Sequence, residues 1–566
     1  MDLPDDWTLA ATSAAHAHHR GAHVAIWCQD RATTYAELHR CSNRTAHALR
    51  AAGIGPGARV AFLGRESEYY YSTVLACAKI GAVLVPVNWR LTAGEVDHIV
   101  RDSTAELILV EREFRTVVEQ VRAGLPALRR VVELDGDDPG DPGAGLRAWR
   151  ADAPDTVPEH RCGPHDPVVQ IYTSGTTGRP KGVVLAHRSF FTLPAASREA
   201  GVDWIDWRAD DVALISLPGL GIAGIGWFMH TFNAGGTNVV LRMYLPSEAV
   251  RLIPKHRVTT TFVAPAMLAM MLQERGVGPD TFASLRKVAY GAAPISTGLL
   301  QRCLEVFGCE FAQIYASTET GTVAVCLPPT DHVPGSGLLR AAGRACPGTE
   351  IKIVDREGRP VPPGVMGQVC VRTPARMLGY WNLPEATAAT LVGEWLHMGD
   401  AGRLDADGYL FLGDRINDTI IVAGQNIYPA EVEKELAEHP AVADVAVVGV
   451  AHPSWGDAVH AVVVPRPGRR ATGRELSAFL RGRIADYKIP VGYHVADALP
   501  RNPSGKVLRR IVRERLQQEA GAAEPTAVPT PTPTAVPTPT PTAVPTPTPV
   551  AVSTPTSVAA SATKGD

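Results

Sequence analysis

The sequence predicts an α/β protein, and three observations carry that expectation. Short β-rich runs, RVAFL from Arg59, ELILVE from Glu106 and AVVGV from Ala446, alternate with helical patterns at Tyr35 to Ala52 and Glu475 to Asp486. The 566 residues are 45% hydrophobic and 20% charged, an ordinary globular balance that excludes wholesale disorder. At about 150 residues per domain, the length allows roughly three to four domains.

Taken in order, the N-terminal MDLPDDWTLA is acidic and has no apolar core, so a secretory signal is not expected and a cytoplasmic protein is. His16, His18 and His19 fall in an Ala-rich helical stretch without Cys or acidic partners at ligating spacing, which predicts a solvated face. PVVQIY from Pro167 reads as a strand. The apolar run Val212 to Phe228 is interrupted by Pro218 and by glycines and is short for a membrane span. Nine cysteines without a CxxC pair point to reduced thiols rather than disulfides or zinc. A net charge of -3 gives no reason to expect nucleic acid or an anionic bilayer as partner. A Gly/Asp/Arg-rich stretch ends at Pro429, whose position starts a helix, and places a domain boundary near Asp414 to Asn417. About 100 residues of strand and helix follow, enough for a small α/β lid. From 521 to 566 the chain holds 11 Pro, 12 Thr and three charged residues, with TAVPTPTP repeated three times; this predicts an extended, disordered tail.

Lysine is scarce, nine against 46 arginines, yet two of the nine stand in glycine-containing turns. Thr173, Ser174, Gly175, Thr176, Thr177, Gly178, Arg179 and Pro180 lead into Lys181 and Gly182; Pro503, Ser504 and Gly505 precede Lys506. In the first, four hydroxyls and three glycines within ten residues offer approachable N–H groups and side-chain donors, and Lys181 adds a positive charge. Those are the needs of a polyphosphate cradle. GxxxxGK[ST] fails on spacing, and Pro180 stops a helix where that motif needs one. Read alone, such a loop is more often only a plain turn.

The full string YTSGTTGRPKGVVLAH does not stand alone. It is followed in order by Gly291-Ala292-Ala293-Pro294, QIYASTETG from Gln313, Gly399-Asp400, GDRINDTIIVAGQNIYPAEVE from Gly413 and LPRNPSGKVLRR from Leu499. Over roughly residues 8 to 515 the chain thereby resembles the adenylate-forming superfamily of acyl-CoA synthetases, nonribosomal adenylation domains and luciferases. The resemblance implies a large multi-sheet N-terminal adenylate-forming domain at 1–413, a hinge at 414–417, a small mobile α/β C-terminal lid at 418–520 and the tail at 521–566. It implies ATP, Mg²⁺ and coenzyme A as cofactors and co-substrate. Thr173 to Lys181 would fold over the β- and γ-phosphates, and Ala293, Pro294 and Tyr315 would line the adenine. Thr318 would contact the α-phosphate, Glu319 would hold Mg²⁺, and Asp400 would accept the ribose hydroxyls. Arg415 would sit near ribose and phosphate, and Lys506 would reach the carboxylate–phosphate junction from the lid. Asn417 stands at the hinge, where the family usually carries Asp or Lys. Gly424 and Tyr428 lie where relatives line the pantetheine path.

Leu217 to Trp227, the segment that carries an amine-binding Asp in amino-acid-activating relatives, holds no acid here, which implies an uncharged, hydrophobic carboxylic acid. Leu220 and Gly221 replace an aromatic residue and a histidine usual in related synthetases. Gly219, Gly221, Gly224 and Gly291 are expected around the substrate, with packing by small residues as the other reading. The missing histidine ring opens room for a fatty or bulky polycyclic acid, or weakens adenylation. Without a visible carrier segment, free coenzyme A is the preferred acceptor. The alternative is a half-reaction enzyme, stopping at the acyl-adenylate or forming only the thioester. A silent binding protein is disfavoured because Lys506, Glu319, Asp400 and Arg415 are all in place. The expected partner is a small-molecule carboxylic acid, with no nucleic acid and no membrane insertion; the oligomeric state stays open, a homodimer included.

Overall fold

The structure is a computed structural model and describes residues 3–134, 145–173, 180–293, 295–415, 418, 420–422, 425–427, 429–452, 456–484, 486–501 and 507–522. Two large sheets carry the N-terminal part. The first has seven strands in the order Gly379–Tyr380, Lys181–Ala186, Pro167–Thr173, Val83–Val87, Arg59–Leu63, Leu107–Val110, Arg130–Glu133. Its central strands run parallel, and VLVPV and LILV are buried at every position, as strands covered on both faces must be. The second has nine strands, and its middle reads Glu310–Tyr315, Lys287–Gly291, Thr260–Val263, Val212–Ile215, Thr237–Val240, all parallel. The helix Glu68–Ile80 packs on strands of both sheets and is buried at all positions after Glu68, its polar residues Ser72, Thr73 and Lys79 included.

Two smaller five-stranded sheets follow. One is built from strands between Glu350 and Arg415; the other, from strands between Ile420 and Val495, carries the helices Pro429–Ala437 and Gly473–Leu480. Expected helices form with small corrections. Tyr35–Ala51 opens with a capping box in which Thr34 and Glu37 satisfy each other's backbone. The helix expected from Glu475 to Asp486 stops at Leu480, because Arg481 turns extended and Gly482 takes φ 73°. The apolar run from Val212 divides into the strand Val212–Ile215 and the helix Ile222–Ala234, and no described helix is long and apolar enough to cross a membrane.

His18 and His19 are exposed as expected, but His16 turns inward: its Nε2–H donates to the Asn233 carbonyl at 3.2 Å and its ring lies 4.9 Å from that of Tyr35. All nine cysteines are free thiols. The expected hinge residue Asn417 and the repeats of the tail lie outside the described residues.

Candidate active site

The site is assembled at the carboxyl ends of the parallel strands, where open α/β sheets place ligands. Pro167–Thr173 and Lys181–Ala186 form an antiparallel hairpin in which Thr173 stands opposite Lys181. These two expected phosphate-loop residues therefore meet at the base of the loop. Ser174, Gly175, Thr176, Thr177 and Gly178 lie outside the described residues, as do Pro294, Gly424, Tyr428 and Lys506. The hairpin base is clamped from the helix Ala93–Asp102. Tyr172 O–H donates to Asp102 Oδ2 at 2.5 Å, Trp381 N–H donates to the Asp102 carbonyl at 2.9 Å, and His98 Nε2–H donates to the Pro180 carbonyl at 3.1 Å.

The edge strand Gly379–Tyr380 pairs with Val183 and Val184 and sets Tyr380 between two expected site residues. Lys181 Nζ lies 5.0 Å from the Tyr380 ring centroid, within cation–π range. Tyr380 O–H donates to Glu319 Oε1 at 2.8 Å, and Met377 N–H donates to the Glu319 carbonyl at 2.9 Å. The loop around Glu319 is fixed from within: Thr320 Oγ1 accepts Ser317 N–H at 3.1 Å and donates to the Thr322 carbonyl at 2.7 Å, and Thr318 is buried beside it. Gly321 has φ 73°, and a Cβ there would overlap the Ala375 carbonyl, so this turn admits only glycine. One oxygen of Glu319 is thus oriented by a tyrosine and the carboxylate suits a hard cation such as Mg²⁺, which would take Glu319 and phosphate oxygens.

Tyr315, the last residue of its strand, donates its O–H to Asp400 Oδ2 at 2.6 Å, and Asp400 stands opposite Arg415 in sheet register. Expected adenine and ribose residues are therefore in contact although 85 positions separate them. Ala293 follows Ala292, a non-glycine residue held at φ 65°; such backbone strain concentrates at functional sites.

The four expected pocket glycines divide by environment. A Cβ at Gly291 would overlap the Ile314 carbonyl, one at Gly224 the Leu217 and Pro218 backbone, and one at Gly219 would crowd Glu66 and Tyr71. Close packing accounts for these three. Only at Gly221, preceding the helix Ile222–Ala234, would a Cβ be accommodated, meeting nothing nearer than the Pro218 carbonyl at 3.9 Å. Beside this glycine lies a cavity of about 250 Å³, lined mainly by apolar side chains including Trp89, Leu217, Leu220, Tyr244 and Met267, with Glu66, Arg90, Ser216 and Arg242 as polar wall residues. Glu66 is 4% exposed, accepts the Tyr71 O–H, and receives the Gly219 amide; Tyr70 O–H donates to the Gly219 carbonyl at 2.6 Å. Burial pushes its carboxyl up to about 8, against the smaller opposing pull of these two donors, so a neutral carboxyl faces the cavity at pH 7. The absence of an acid from Leu217 to Trp227 is thus only half of the picture: an acid from far upstream sits against Gly219.

Sequence reasoning missed Glu66, Tyr380 and Arg242. Each meets partners that are distant in sequence, Tyr380 with Glu319, Glu66 with Gly219 and Arg242 with Glu111, and such long-range pairing leaves no local signal.

With this geometry in view, comparison with known proteins is specific. The AMP-binding enzyme family matches residues 13–381, and the AMP-binding enzyme C-terminal domain matches residues 431–506. The chain belongs to this family of adenylate-forming enzymes and is an AMP-forming ligase, of the group that makes acyl-CoA or acyl-carrier thioesters through an acyl-adenylate. It is 53% identical over 513 residues to the fatty acid–[acyl-carrier-protein] ligase ScoC of Streptomyces coeruleorubidus, covering 90% of this chain and 97% of that one. It is 33% identical over 482 residues to the long-chain-fatty-acid–CoA ligase FadD13 of Mycobacterium tuberculosis, covering 85% and 93%. Its fold superposes on the anthranilate CoA ligase AuaEII in complex with anthranoyl-AMP with a TM-score of 0.81, at 27% identity over 92% of this chain and 99% of that one.

Proposed function

We propose that this enzyme activates an uncharged hydrophobic carboxylic acid as its acyl-adenylate and passes the acyl group to the phosphopantetheine thiol of a carrier protein. One observation carries the reading: Lys181, Tyr380 and Glu319 form one contiguous chain of contacts, with Tyr315–Asp400 on the same strand end and an apolar cavity along the same sheet. In the first step the substrate carboxylate attacks the α-phosphorus of ATP, an O–P bond forms, and pyrophosphate leaves. Two anions meet, so catalysis is mostly positioning and charge neutralisation. The loop from Thr173 to Lys181, with Ser174, Thr176 and Thr177, holds the β- and γ-phosphates. Thr318 steadies the α-phosphate, and Glu319, aimed by Tyr380, holds Mg²⁺, which when bound neutralises phosphate charge. Ala293, Pro294 and Tyr315 take the adenine, Asp400 the ribose hydroxyls, and Arg415 the ribose–phosphate edge. Lys506 of the lid meets the charge developing at the carboxylate–phosphate junction. In the second step the lid, turning about Asn417, withdraws Lys506 and presents Gly424 and Tyr428 to the pantetheine arm. The thiol sulfur bonds to the acyl carbon, its proton leaves, and AMP departs with the electron pair of the broken C–O bond.

The acceptor differs from the sequence expectation of free coenzyme A. The ScoC relative, matched almost end to end at 53%, is named for an acyl-carrier protein, and that supports a carrier thiol. Free coenzyme A is the second reading, supported by the FadD13 relative. Pyrophosphate release with a panel of acids, followed by acyl transfer to a phosphopantetheinylated carrier protein or to coenzyme A, tests both. The carrier is expected to be loaded at least tenfold faster than coenzyme A; the reverse order overturns that choice. Lys506→Ala is expected to abolish pyrophosphate release and to spare thiolation of a pre-made adenylate. Equal loss in both steps would refute the division of labour.

A further inference from the structure

The cavity has a direction. Past the ends of the strands Glu310–Tyr315 and Lys287–Gly291 come Tyr315, Glu319 and Ala293; past the next three, Thr260–Val263, Val212–Ile215 and Thr237–Val240, come the cavity walls. Four strand spacings of about 4.8 Å put the wall after Val240 roughly 19 Å from the Tyr315 end. Arg242, two residues past that strand, therefore stands at the end of the cavity away from the nucleotide residues.

There Arg242 Nη2 donates to Glu111 Oε1, and Glu111 follows the strand Leu107–Val110 of the other large sheet. Glu111 Oε2 also accepts Arg65 N–H at 2.8 Å, and the Arg65 guanidinium, paired with Glu113 at 2.6 Å, lies 4.9 Å from the ring centroid of Trp89 on the cavity wall. With side chains only 16% and 15% exposed, the Arg242–Glu111 pair is shielded enough to hold more firmly than a surface ion pair. It ties the strand ends of the two sheets together behind the cavity wall that Arg242 forms. The rim beside it is formed by Met243, 38% exposed, and Met270, 47% exposed, so a chain continuing past the tie meets water.

Resting on the ligase reading above, we propose that the Arg242–Glu111 tie is the end-stop of the acyl chamber and that the cognate acid carries a tail of roughly eight carbons or fewer. The size follows from the 250 Å³ of space at about 30 Å³ per water-sized group, which a methylene resembles. This chamber has no room for a steroid-sized acid or a fully buried sixteen-carbon chain. Up to the stop, each added methylene contributes about 0.8 kcal/mol of burial, roughly fourfold in kcat/KM; beyond it the gain ceases.

The test is kcat/KM for saturated acids from four to sixteen carbons, read by pyrophosphate release, in the full chain and in Arg242→Ala and Glu111→Gln. Expected is a wild-type profile that climbs to about eight carbons and gains nothing further up to sixteen, with both variants raising the twelve-to-eight-carbon ratio about tenfold. A wild-type optimum at fourteen to sixteen carbons overturns the end-stop. So does an unchanged profile in Glu111→Gln, the near-isosteric variant, at unaltered melting temperature. Absence of pyrophosphate release with every acid, wild type included, refutes the ligase reading itself and is thereby distinguishable.

Discussion

Tyr380 shows what a single side chain does between two motifs. Its ring carries Lys181 and its hydroxyl aims Glu319, so one residue couples the loop proposed for the phosphates to the carboxylate proposed for Mg²⁺. Tyr380→Phe keeps the ring and removes only the hydrogen bond. A bond to a charged acceptor is worth about 1.5–3 kcal/mol, so KM for MgATP should rise roughly tenfold or more. Part of that loss should return as Mg²⁺ is raised, while thiolation of a pre-made adenylate keeps its rate. The stabilisation of the melting temperature by MgATP should shrink in parallel, a readout independent of turnover. An unchanged Mg²⁺ dependence would leave Tyr380 a packing residue only. At this scale the sequence was legible where chemistry and local backbone coincide: Tyr315, Asp400 and Glu319 sit in motifs that also turn the chain. It left two readings open at the glycines, substrate space or packing. Gly291 and Gly224 are accounted for by carbonyls that a Cβ would overlap, whereas at Gly221 a Cβ would meet only the Pro218 carbonyl at 3.9 Å, so no packing demands a glycine there.

Among the elements, the strand ends were predictable and their partners were not. Alternating runs such as RVAFL and ELILVE announce parallel strands, but nothing in them tells that the Thr237–Val240 strand stands between Val212–Ile215 and Val24–Cys28. Strand order comes from long-range packing, which a one-dimensional pattern does not encode. The C-terminal sheet gives a case of a buried ion pair beside apolar packing. Glu433, on the helix Pro429–Ala437, accepts Val447 N–H at 2.7 Å and pairs with Arg509 Nη2 at 2.6 Å at the start of the final helix. Burial pushes the Glu433 carboxyl up, with the Arg509 guanidinium the largest opposing influence. Arg509→Met leaves that carboxylate buried without its cation, a loss of about 3 kcal/mol, and the urea midpoint of the C-terminal sheet should fall accordingly. Adding Glu433→Leu should recover most of it, because the uncompensated charge is then gone. A single variant as stable as the wild type would show that Arg509 contributes nothing beyond its surface.

For the molecule as a whole, the two large sheets are joined through the buried helix Glu68–Ile80, and that helix carries a titratable group near each end. Glu66, two residues before its start, is raised from 4.5 to about 8 by burial. Lys79, in its last turn, is lowered from 10.5 to about 7 by burial, with only neutral hydrogen-bond partners: Ser42 Oγ at 2.6 Å, Asn43 Oδ1 at 2.7 Å, and the His39 ring and carbonyl. Between 4.5 and 8 the folded chain keeps on Glu66 a proton that the unfolded chain has released. Its contribution is therefore fully present below 4.5 and is lost as pH rises through 8. Between 7 and 10.5 the unfolded chain holds on Lys79 a proton that the folded chain has given up, so stability rises with pH across that window. The two slopes oppose each other and can be separated by substitution. Wild-type stability relative to Glu66→Gln should fall steadily from pH 5 to pH 8, whereas relative to Lys79→Met it should rise from pH 7 to pH 10. Urea unfolding at four pH values decides it. Parallel curves for wild type and Glu66→Gln would mean that Glu66 is ionised in the fold, and the wall it gives the cavity would then be anionic rather than neutral.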